Sequence, residues 1–262
     1  MKYSIAIPSY QRAEICRQQT LATLDRMKVD RDAIHIFVAN EEQAELYKAT
    51  LGGSHRIIVG VRGISSQRKF YHNWFPEGEP ILSLDDDIGE VLERTDDKLM
   101  PTRYTINDIA EAGFGYAEKE RTRLWGINPT MNNFFLSDVI SVGLRYICAN
   151  FMGSYGGDWV FTDEARRMTP TGEDHHSSLR AFTRYGSVVR LEYLCPKTKY
   201  FAKGGIDACV TENGLTRKER HAQELIWVQS QYPHLATVTK KAGGVINLRF
   251  KPITYSKHKR PS

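Results

Sequence analysis

The chain has 262 residues, of which 41% are hydrophobic and 26% are charged, and its formal net charge is +5. This length can bury a large core, and the composition excludes intrinsic disorder, collagen-like repeats and low-complexity sequence. No apolar run approaches the roughly 20 residues that span a bilayer, and the N-terminal segment lacks the apolar core of a secretory signal, so we expect a cytoplasmic protein with no membrane partner.

The first 95 residues alternate short apolar runs with amphipathic segments. The apolar runs predict buried strands, at Tyr3–Pro8, Ile34–Val38, Arg56–Val61 and Pro80–Leu84. The amphipathic segments predict helices, at Arg12–Met27, Glu41–Leu51 and Gly63–Trp74. Because strands that alternate with helices form parallel sheets covered on both faces, this pattern predicts an α/β fold with a mostly parallel sheet.

The second half has a less regular pattern. Strands are predicted at Leu124–Ile127, Ser141–Ala149 and Val188–Leu194, and helices at Glu173–Tyr185 and Lys218–Tyr232. Gly153–Trp159 predicts a flexible loop that could form part of a lid, and Ala236–Phe250 predicts two strand-like pieces around a glycine pair, as a hairpin or an extended tail. Since no repeat or flexible linker is visible, we expect one domain over residues 1–262, with a nucleotide-binding half (1–95) and a partner-binding half (96–262).

Three consecutive aspartates, Asp85, Asp86 and Asp87, follow the predicted strand Pro80–Leu84. Neighbouring carboxylates repel one another unless a positive charge lies beside them. In an open parallel sheet, the carboxyl ends of the strands form the edge where ligands bind. Mg²⁺ and Mn²⁺ favour a few carboxylates together with substrate phosphates, so the motif predicts a divalent metal site, with a solvated acidic turn as the alternative.

Four motifs in this order resemble those of the GT-A fold glycosyltransferases, which use nucleotide-sugar donors. The motifs are Pro8-Ser9-Tyr10-Gln11-Arg12, Gly63-Ile64-Ser65-Ser66-Gln67-Arg68, Asp85-Asp86-Asp87 and Gly172-Glu173-Asp174. The resemblance covers about the first 195 residues. It implies a GT-A-like, Rossmann-type α/β fold, Mn²⁺ or Mg²⁺ as cofactor and a nucleotide diphosphate sugar, most simply a UDP-sugar, as donor.

The resemblance also implies roles for the residues in these motifs. The donor-binding set is Pro8, Tyr10, Arg12, Arg68, Asp85 and Asp86, and the metal-binding set is Asp85 and Asp87. Tyr10 can stack on a nucleobase, whereas the two arginines can pair with phosphate or carboxylate groups. We expect Asp87 to bind the metal directly, and Asp85 to hold the ribose or to reach the metal through water.

Glu173 and Asp174 open a predicted helix on the acceptor side. A carboxylate here can accept the proton of an attacking hydroxyl, which is the general-base role in an inverting transferase. We predict Asp174 as the base, because the second acid of this pair has that role in the enzymes it resembles, and Glu173 as its catalytic neighbour. The alternative is that both acids only complement the dipole at the N-terminus of the helix.

Histidines and cysteines give no site signature. The resemblance implies that a late histidine can complete the metal site. The candidates are His175 and His176, which follow the acidic pair, and His221 and His258, which lie near basic residues, and no spacing selects one of them. The four cysteines are widely spaced, which predicts reduced thiols, at Cys16, Cys148, Cys195 and Cys209.

The acceptor side is rich in aromatic, amide and basic residues. Trp125–Phe135 offers stacking faces and amide groups for a sugar or a base. The C-terminal stretch contains Lys257, Lys259 and Arg260, which could contact phosphates. Together with the resemblance of Gly60–Asp87 to glycosyltransferases of hydroxymethylated pyrimidines in DNA (the base J and bacteriophage enzymes), this predicts a DNA acceptor.

Two alternatives remain at this stage. One is a GT-A transferase for a cell-surface glycan or a lipid-linked acceptor, which would not bind DNA. The other is a nucleic-acid-binding module that has kept the fold without catalysis, against which the intact Arg68 and Asp85–Asp87 argue. The donor sugar, the stereochemical outcome and the oligomeric state have no signal in the sequence.

Overall fold

The computed structural model describes residues 1–157, 168, 173–198, 216–240 and 246–260. The first helix, α1, comprises Ala13–Cys16 and Ala22–Arg26, joined by the π-helical stretch Arg17–Leu21. The other helices are α2 (Glu41–Leu51), α3 (Ile64–Trp74), α4 (Ile106–Lys119), α5 (Glu173–Tyr185) and α6 (Arg217–Gln231). In these described ranges, no helix is both long enough and apolar enough to cross a membrane.

Nine strands in the described part of the chain form one central sheet. They are β1 (Ser4–Pro8), β2 (Ile34–Val38), β3 (Arg56–Val59), β4 (Pro80–Leu84), β7 (Trp125–Ile127), β8 (Val139–Gly143), β9 (Phe151–Tyr155), β10 (Val188–Leu191) and β14 (Thr254–Lys259). Their spatial order is β14-β8-β10-β7-β9-β4-β1-β2-β3. Only β8 and β9 run against the others, because each pairs in antiparallel fashion with both neighbours. The predicted α/β fold with a mostly parallel sheet is confirmed.

Two smaller antiparallel sheets complete the described structure. One contains β5 (Ile88–Thr95), β6 (Lys98–Pro101) and β11 (Leu194–Thr198), in the order β11-β5-β6. The other pairs β12 (Ala236–Lys240) with β13 (Ile246–Phe250), which confirms the predicted strand pairing. The glycine pair predicted to turn between them lies outside the described residues.

The alternating side chains of the first strands bind helices to both faces of the sheet. On β1, Ile5 and Ile7 join a core cluster that includes Tyr47 of α2. Ala6, between them, packs in a different cluster with Tyr71 of α3. This is the period of two expected for a strand buried on both faces. The chain therefore places α2 and α3 on opposite faces of the sheet.

Local signals set the boundaries of the helices beside the site. The Asn40 side chain accepts a hydrogen bond from the N–H of Gln43 (3.0 Å) and so caps α2, and Gly52 ends this helix with φ = 73°. Gly63 precedes α3 with φ = 92°, a conformation that favours glycine. The predicted helices Glu41–Leu51 and Gly63–Trp74 are therefore confirmed, and α3 holds Arg68 in its second turn.

The prediction that Gly153–Trp159 forms a flexible loop is wrong for its first residues. Gly153–Tyr155 belong to β9, a central strand between β7 and β4. Gly153 lies against the buried indole of Trp125, and an added Cβ would come within 1.8 Å of its Nε1. The glycine serves close packing rather than flexibility. Asp158 and Trp159 lie outside the described residues.

We expect Gly153→Ala to destabilise the protein by about 1–3 kcal/mol, the usual cost of overpacking a core. The indole of Trp125 is fully buried and cannot move aside without displacing its neighbours. Gly115→Ala is the matched control, because Gly115 lies exposed within α4 and an added Cβ there would meet no other atom within 4 Å. Alanine at this position should stabilise by about 0.5–1 kcal/mol. Urea denaturation of both variants checks the prediction, and equal stabilities would contradict it.

Two other predicted strands are divided differently in the structure. The predicted strand Ser141–Ala149 ends at Gly143, where the backbone of Ile253 approaches so closely that an added Cβ would lie 2.3 Å from its carbonyl oxygen. The predicted strand Val188–Leu194 is two strands, β10 and β11, in different sheets. Between them Glu192 is buried and accepts hydrogen bonds from Asn128 (3.0 Å) and other side chains, which a continuous strand would prevent.

Candidate active site

The three aspartates lie where β4 leaves the central sheet. Because β1, β2 and β4 are parallel, the ends of these strands share one edge. Thr20 of α1 fixes the backbone after β4, since its hydroxyl donates to the Asp85 carbonyl oxygen (2.7 Å) and accepts from the Ile88 N–H (2.9 Å). The carboxylates are thus held at the edge where ligands bind in open α/β sheets.

Arg12 lies beside Asp86 and Asp87. Its Nη1 is 3.4 Å from Oδ1 of Asp86 and 3.7 Å from Oδ2 of Asp87. The Ser9 hydroxyl also donates to Asp86, and the main-chain N–H of Arg12 donates to the Tyr47 hydroxyl (3.1 Å). Asp86 therefore faces inward and connects the end of β1 to the end of β4, whereas Asp85 points toward α3.

Burial raises the pKa of all three aspartates, and the charge of at least one neighbouring carboxylate adds to each shift. Burial raises the pKa of Asp86 to about 6, although hydrogen bonds from Ser9 and the charge of Arg12 oppose the shift. Burial, followed by the charges of Asp85 and Asp86, raises the pKa of Asp87 to about 7. Burial also raises the pKa of Asp85, against the charge of Arg68. The cluster contains more negative charge than its arginines balance.

Arg68 connects the aspartates to the predicted acceptor side. The residue is 3% exposed, and its Nη2 lies 2.9 Å from Oδ1 of Asp85. Its Nη1 lies 2.9 Å from Oε1 of Glu173 and 3.2 Å from Oδ1 of Asp174. One buried guanidinium thus holds three carboxylates from two distant parts of the sequence. Its contacts are with carboxylates, and phosphate binding by Arg68 stays a prediction.

Glu173 and Asp174 begin α5 and differ in exposure. The Glu173 side chain is 4% exposed, and burial raises its pKa despite the charge of Arg68. The Asp174 side chain is 19% exposed, and its Oδ2 accepts hydrogen bonds from the Tyr146 hydroxyl (3.2 Å) and the Cys148 thiol (3.5 Å). Of the two acids, Asp174 is the one that a second molecule can reach.

The other predicted donor-binding residues lie at the end of β1. Pro8 is buried and pairs in register with Phe37 of β2, so it ends the strand. Tyr10 is partly exposed, and the Arg62 guanidinium lies 6.0 Å from the centre of its ring. Tyr10 is accordingly available for stacking, whereas the Pro8 side chain is covered by protein.

The predicted aromatic acceptor stretch has two parts in the structure. Trp125 is buried in the core, whereas Phe134 and Phe135 are 84% and 60% exposed. Asn128 donates to the carbonyl oxygen of Phe135 (2.9 Å) and so fixes the backbone of the exposed part. Trp125 therefore serves the fold, whereas the two phenylalanines are exposed to a ligand.

The histidines do not define a metal site. His175 packs on the ring of Tyr146 with their centres 4.5 Å apart, and His258 lies 3.4 Å from Glu120. Within the described ranges, no group of three or more His, Cys, Asp and Glu side chains is arranged to hold a metal ion. The metal-binding roles of Asp85 and Asp87 stay predictions. Cys16, Cys148 and Cys195 are free thiols, as predicted, and Cys209 lies outside the described residues.

Four residues that support the site were not predicted from the sequence. Thr20 and Tyr47 hold the backbone beside the aspartates, and Tyr146 and Cys148 contact Asp174. Each is separated by many residues from the group that it supports, so no spacing motif reveals it. Tyr146 and Cys148 also fall within a predicted strand that the structure does not form there.

Comparison with solved structures bears on the fold. Neither the protein-family models nor the sequences of curated proteins match this chain. Glucosyl-3-phosphoglycerate synthase from Mycobacterium tuberculosis, solved with Mn²⁺ and UDP-glucose, is similar with a TM-score of 0.51 and 9% identity, over 98% of this chain and 89% of that one. The mannosyltransferase PcManGT from Pyrobaculum calidifontis, solved with GDP-Man and Mn²⁺, has a TM-score of 0.50 and 13% identity, over 87% and 63%.

The chain has a GT-A-like fold. A fragment of TarS from S. aureus is also similar, with a TM-score of 0.49 and 12% identity over 88% of this chain, which spans 65% of that fragment. In the GT-A-like fold of this chain, Asp85, which follows β4, and the two acids that open α5 meet at Arg68.

Proposed function

We propose that this protein is a metal-dependent glycosyltransferase that moves a sugar from a nucleotide diphosphate sugar to a hydroxyl acceptor. The observation that carries the proposal is the Arg68 bridge, which brings Asp85 together with Glu173 and Asp174 across 88 or more residues of sequence. A donor-side acidic cluster and a partly exposed acid on the acceptor side are the two components that such a transfer requires. The neighbours solved with Mn²⁺ and a nucleotide sugar support this proposal through the shared fold.

The residues after β4 fit a divalent cation. Burial is the main cause of the raised pKa values of Asp86 and Asp87, and repulsion between the neighbouring carboxylates adds to it. A dication beside Asp85 and Asp87 would relieve that repulsion, and Mg²⁺ or Mn²⁺ needs only a few carboxylates when substrate phosphates supply the rest. When bound, the metal would neutralise charge on the leaving diphosphate. Asp86, which faces Ser9 and Arg12, would orient the turn.

Side chains of the protein would bind the donor and accept the proton. Tyr10 would stack on the nucleobase, and Arg12 would add positive charge beside the diphosphate. Asp174 would accept the proton of the acceptor hydroxyl while the oxygen of that hydroxyl bonds to the anomeric carbon. The bond from that carbon to the diphosphate oxygen breaks, and the diphosphate leaves with the electron pair. Glu173, which is buried against Arg68, would position Asp174 rather than touch the acceptor.

A thermal-shift screen of UDP-glucose and GDP-mannose, each with and without Mn²⁺, tests the proposed donor and cofactor. A ligand that binds the native state at 100 times its Kd stabilises it by about 2.7 kcal/mol. We expect one nucleotide sugar to raise the melting temperature only when Mn²⁺ is present. If neither the metal nor any nucleotide sugar shifts the transition, the proposed function is wrong.

We further propose that the acceptor is a 5-hydroxymethylpyrimidine in DNA. Support comes from exposed basic side chains near the C-terminus, which are Arg249 of β13, Lys251 between β13 and β14, and Lys257 and Lys259 of β14. β14 forms an edge of the central sheet, so its two lysines can follow a phosphate backbone. The target base would have to be flipped out, or met in single-stranded form, for its hydroxymethyl oxygen to reach Asp174.

Lys257→Ala together with Lys259→Ala should weaken DNA binding and lower its dependence on salt. Each lost phosphate contact removes about 0.9 from the slope of log affinity against log salt concentration, so we expect the slope to fall by about 2. Arg260 is left out of this variant, because it pairs with Glu93 (3.1 Å) and Asp138 (3.1 Å). Gel shifts at several salt concentrations measure the effect, while turnover at saturating DNA should stay unchanged.

Asp174→Asn is the matched comparison for the double lysine variant, because it should have the opposite effect. It should leave DNA binding unchanged and abolish transfer. Labelled donor should enter DNA that contains hydroxymethylcytosine or hydroxymethyluracil and not unmodified DNA. Equal incorporation into both would overturn the acceptor proposal. No incorporation into any DNA, with metal-dependent hydrolysis of the donor, would favour a glycan or a lipid-linked acceptor instead.

A further inference from the structure

Three hydrogen-bond donors surround the Asp174 carboxylate in the described structure. Arg68 Nη1 lies 3.2 Å from Oδ1, whereas the Tyr146 hydroxyl (3.2 Å) and the Cys148 thiol (3.5 Å) both donate to Oδ2. A carboxylate offers about four lone-pair sites, two on each oxygen. Oδ2 is therefore saturated by two protein donors, and Oδ1 keeps one lone pair for an incoming hydroxyl.

Contacts of its backbone, of the next residue and of its ring hold Tyr146 in place. Arg190 of β10 donates to the Tyr146 carbonyl oxygen (3.1 Å). The next residue is tied to α5 itself, because the N–H of Ile147 donates to the Ser178 hydroxyl (2.9 Å), which donates in turn to the Asp174 carbonyl oxygen (2.8 Å). The Tyr146 ring packs on His175. These contacts fix the tyrosine relative to the acid, as a preorganised site requires.

We infer that Tyr146 is a positioning residue for the proposed transfer. Its hydroxyl occupies Oδ2 of Asp174 and so directs the acceptor hydroxyl to Oδ1, beside Arg68. Cys148 assists it as the second and weaker donor. This inference rests on the proposed function, since it assigns Asp174 the proton that the acceptor loses. The acceptor oxygen is then placed on the Arg68 side of the carboxylate, which is also the side of Asp85.

The inference predicts different effects for substitutions around the carboxylate. Tyr146→Phe keeps the ring on His175 and removes only the hydroxyl, so Asp174 can rotate and present either oxygen. Misplacing a reacting group by about 1 Å costs on the order of 10²-fold in rate. We expect kcat to fall by about 10- to 100-fold with the KM for the donor unchanged, because Tyr146 does not touch the donor side. Cys148→Ala should lower kcat only a few-fold, since a thiol is a weak donor.

The test measures nucleotide release from UDP-glucose and GDP-mannose with Mn²⁺, with a hydroxymethylcytosine oligonucleotide as acceptor and with water alone. Tyr193→Phe is the matched control, because Tyr193 is buried beside Tyr104 and contacts none of the site residues described above. A crystal structure of Tyr146→Phe provides a second readout that does not depend on activity. It should show the Asp174 carboxylate rotated from its wild-type position.

The outcomes separate this inference from the proposed function. A wild-type protein that releases no nucleotide overturns the proposed function. In that case the Tyr146→Phe crystal structure still tests whether Tyr146 positions the Asp174 carboxylate, and an unrotated carboxylate overturns that role. An active wild-type protein with a Tyr146→Phe kcat within twofold of normal overturns the inference. A fall in kcat of tenfold or more, with the donor KM kept and Tyr193→Phe normal, supports it.

Discussion

Asp87→Asn should abolish sugar transfer while leaving the fold intact. A bound metal supplies several kcal/mol of charge stabilisation at a developing phosphate oxyanion, so loss of a direct ligand should lower kcat/KM by about 10²- to 10³-fold. The measurement is initial rates over a range of Mn²⁺ concentrations. Asp97→Asn, the same change at an exposed aspartate between β5 and β6, is the matched control and should have normal rates. Near-normal turnover of Asp87→Asn in Mn²⁺ would show that the metal-site assignment is wrong.

The same substitution should stabilise the metal-free protein. Burial and the charges of Asp85 and Asp86 raise the pKa of Asp87 to about 7 in the folded state, well above its unfolded value. A group with a raised folded pKa favours folding at low pH, and that contribution is lost as the pH rises through 7. The melting temperature of Asp87→Asn should therefore exceed that of the wild type increasingly from pH 5 to pH 8. Thermal scans with a chelator present provide the check.

Arg68→Met should be the most destabilising substitution in the site. Removing one partner of a buried ion pair leaves uncompensated charge and costs about 3–5 kcal/mol, and Arg68 pairs with Asp85, Glu173 and Asp174. Arg68→Lys should lose less, because it keeps the charge without the forked geometry. Urea denaturation gives the free energy of unfolding for each variant. The loss should be larger at pH 8 than at pH 5, since Glu173, whose pKa is already raised, would be protonated more readily without the guanidinium.

A surface ion pair provides the control for this prediction. Arg31 lies 3.3 Å from Asp25, with both side chains about half exposed, and such pairs contribute about 0–1 kcal/mol. Arg31→Gln should therefore change the free energy of unfolding by less than about 1 kcal/mol. If Arg68→Met costs no more than this surface control, the three-carboxylate bridge is not a significant source of stability.

The sequence predicted the strands and helices up to Leu84 closely, for reasons that are local, whereas β5, β6 and α4, which follow, were not predicted. Strands such as Ile34–Val38 are short apolar runs, and the helix Glu41–Leu51 ends at Gly52, which adopts a positive φ. The second half was predicted less well, because its boundaries depend on contacts between distant segments. Gly153 looks like a loop residue until Trp125 is placed against it, and Gly143 ends a strand because Ile253 approaches there.

The candidate site divides in the same way. The residue types at the end of β4 and at the start of α5 were evident from the sequence, because Asp85–Asp87 and Glu173-Asp174 stand directly beside predicted element boundaries. The contact of both motifs with Arg68 was not evident from the sequence. The partners of a buried guanidinium depend on where α3, the end of β4 and α5 lie in the folded chain. Thr20, Tyr47 and Tyr146 escaped notice for the same reason, since each supports a group remote in sequence.

The sequence by itself determined the α/β class, the first strands and helices and the position of the acidic motif, because hydrophobic period and helix capping act over a few residues. Tertiary structure alone decided that Asp174 is the accessible acid, that Glu173 is buried against Arg68 and that Tyr146 faces the same carboxylate. Burial and electrostatic pairing depend on distances through space, and the chain reaches those distances only after its sheet has assembled.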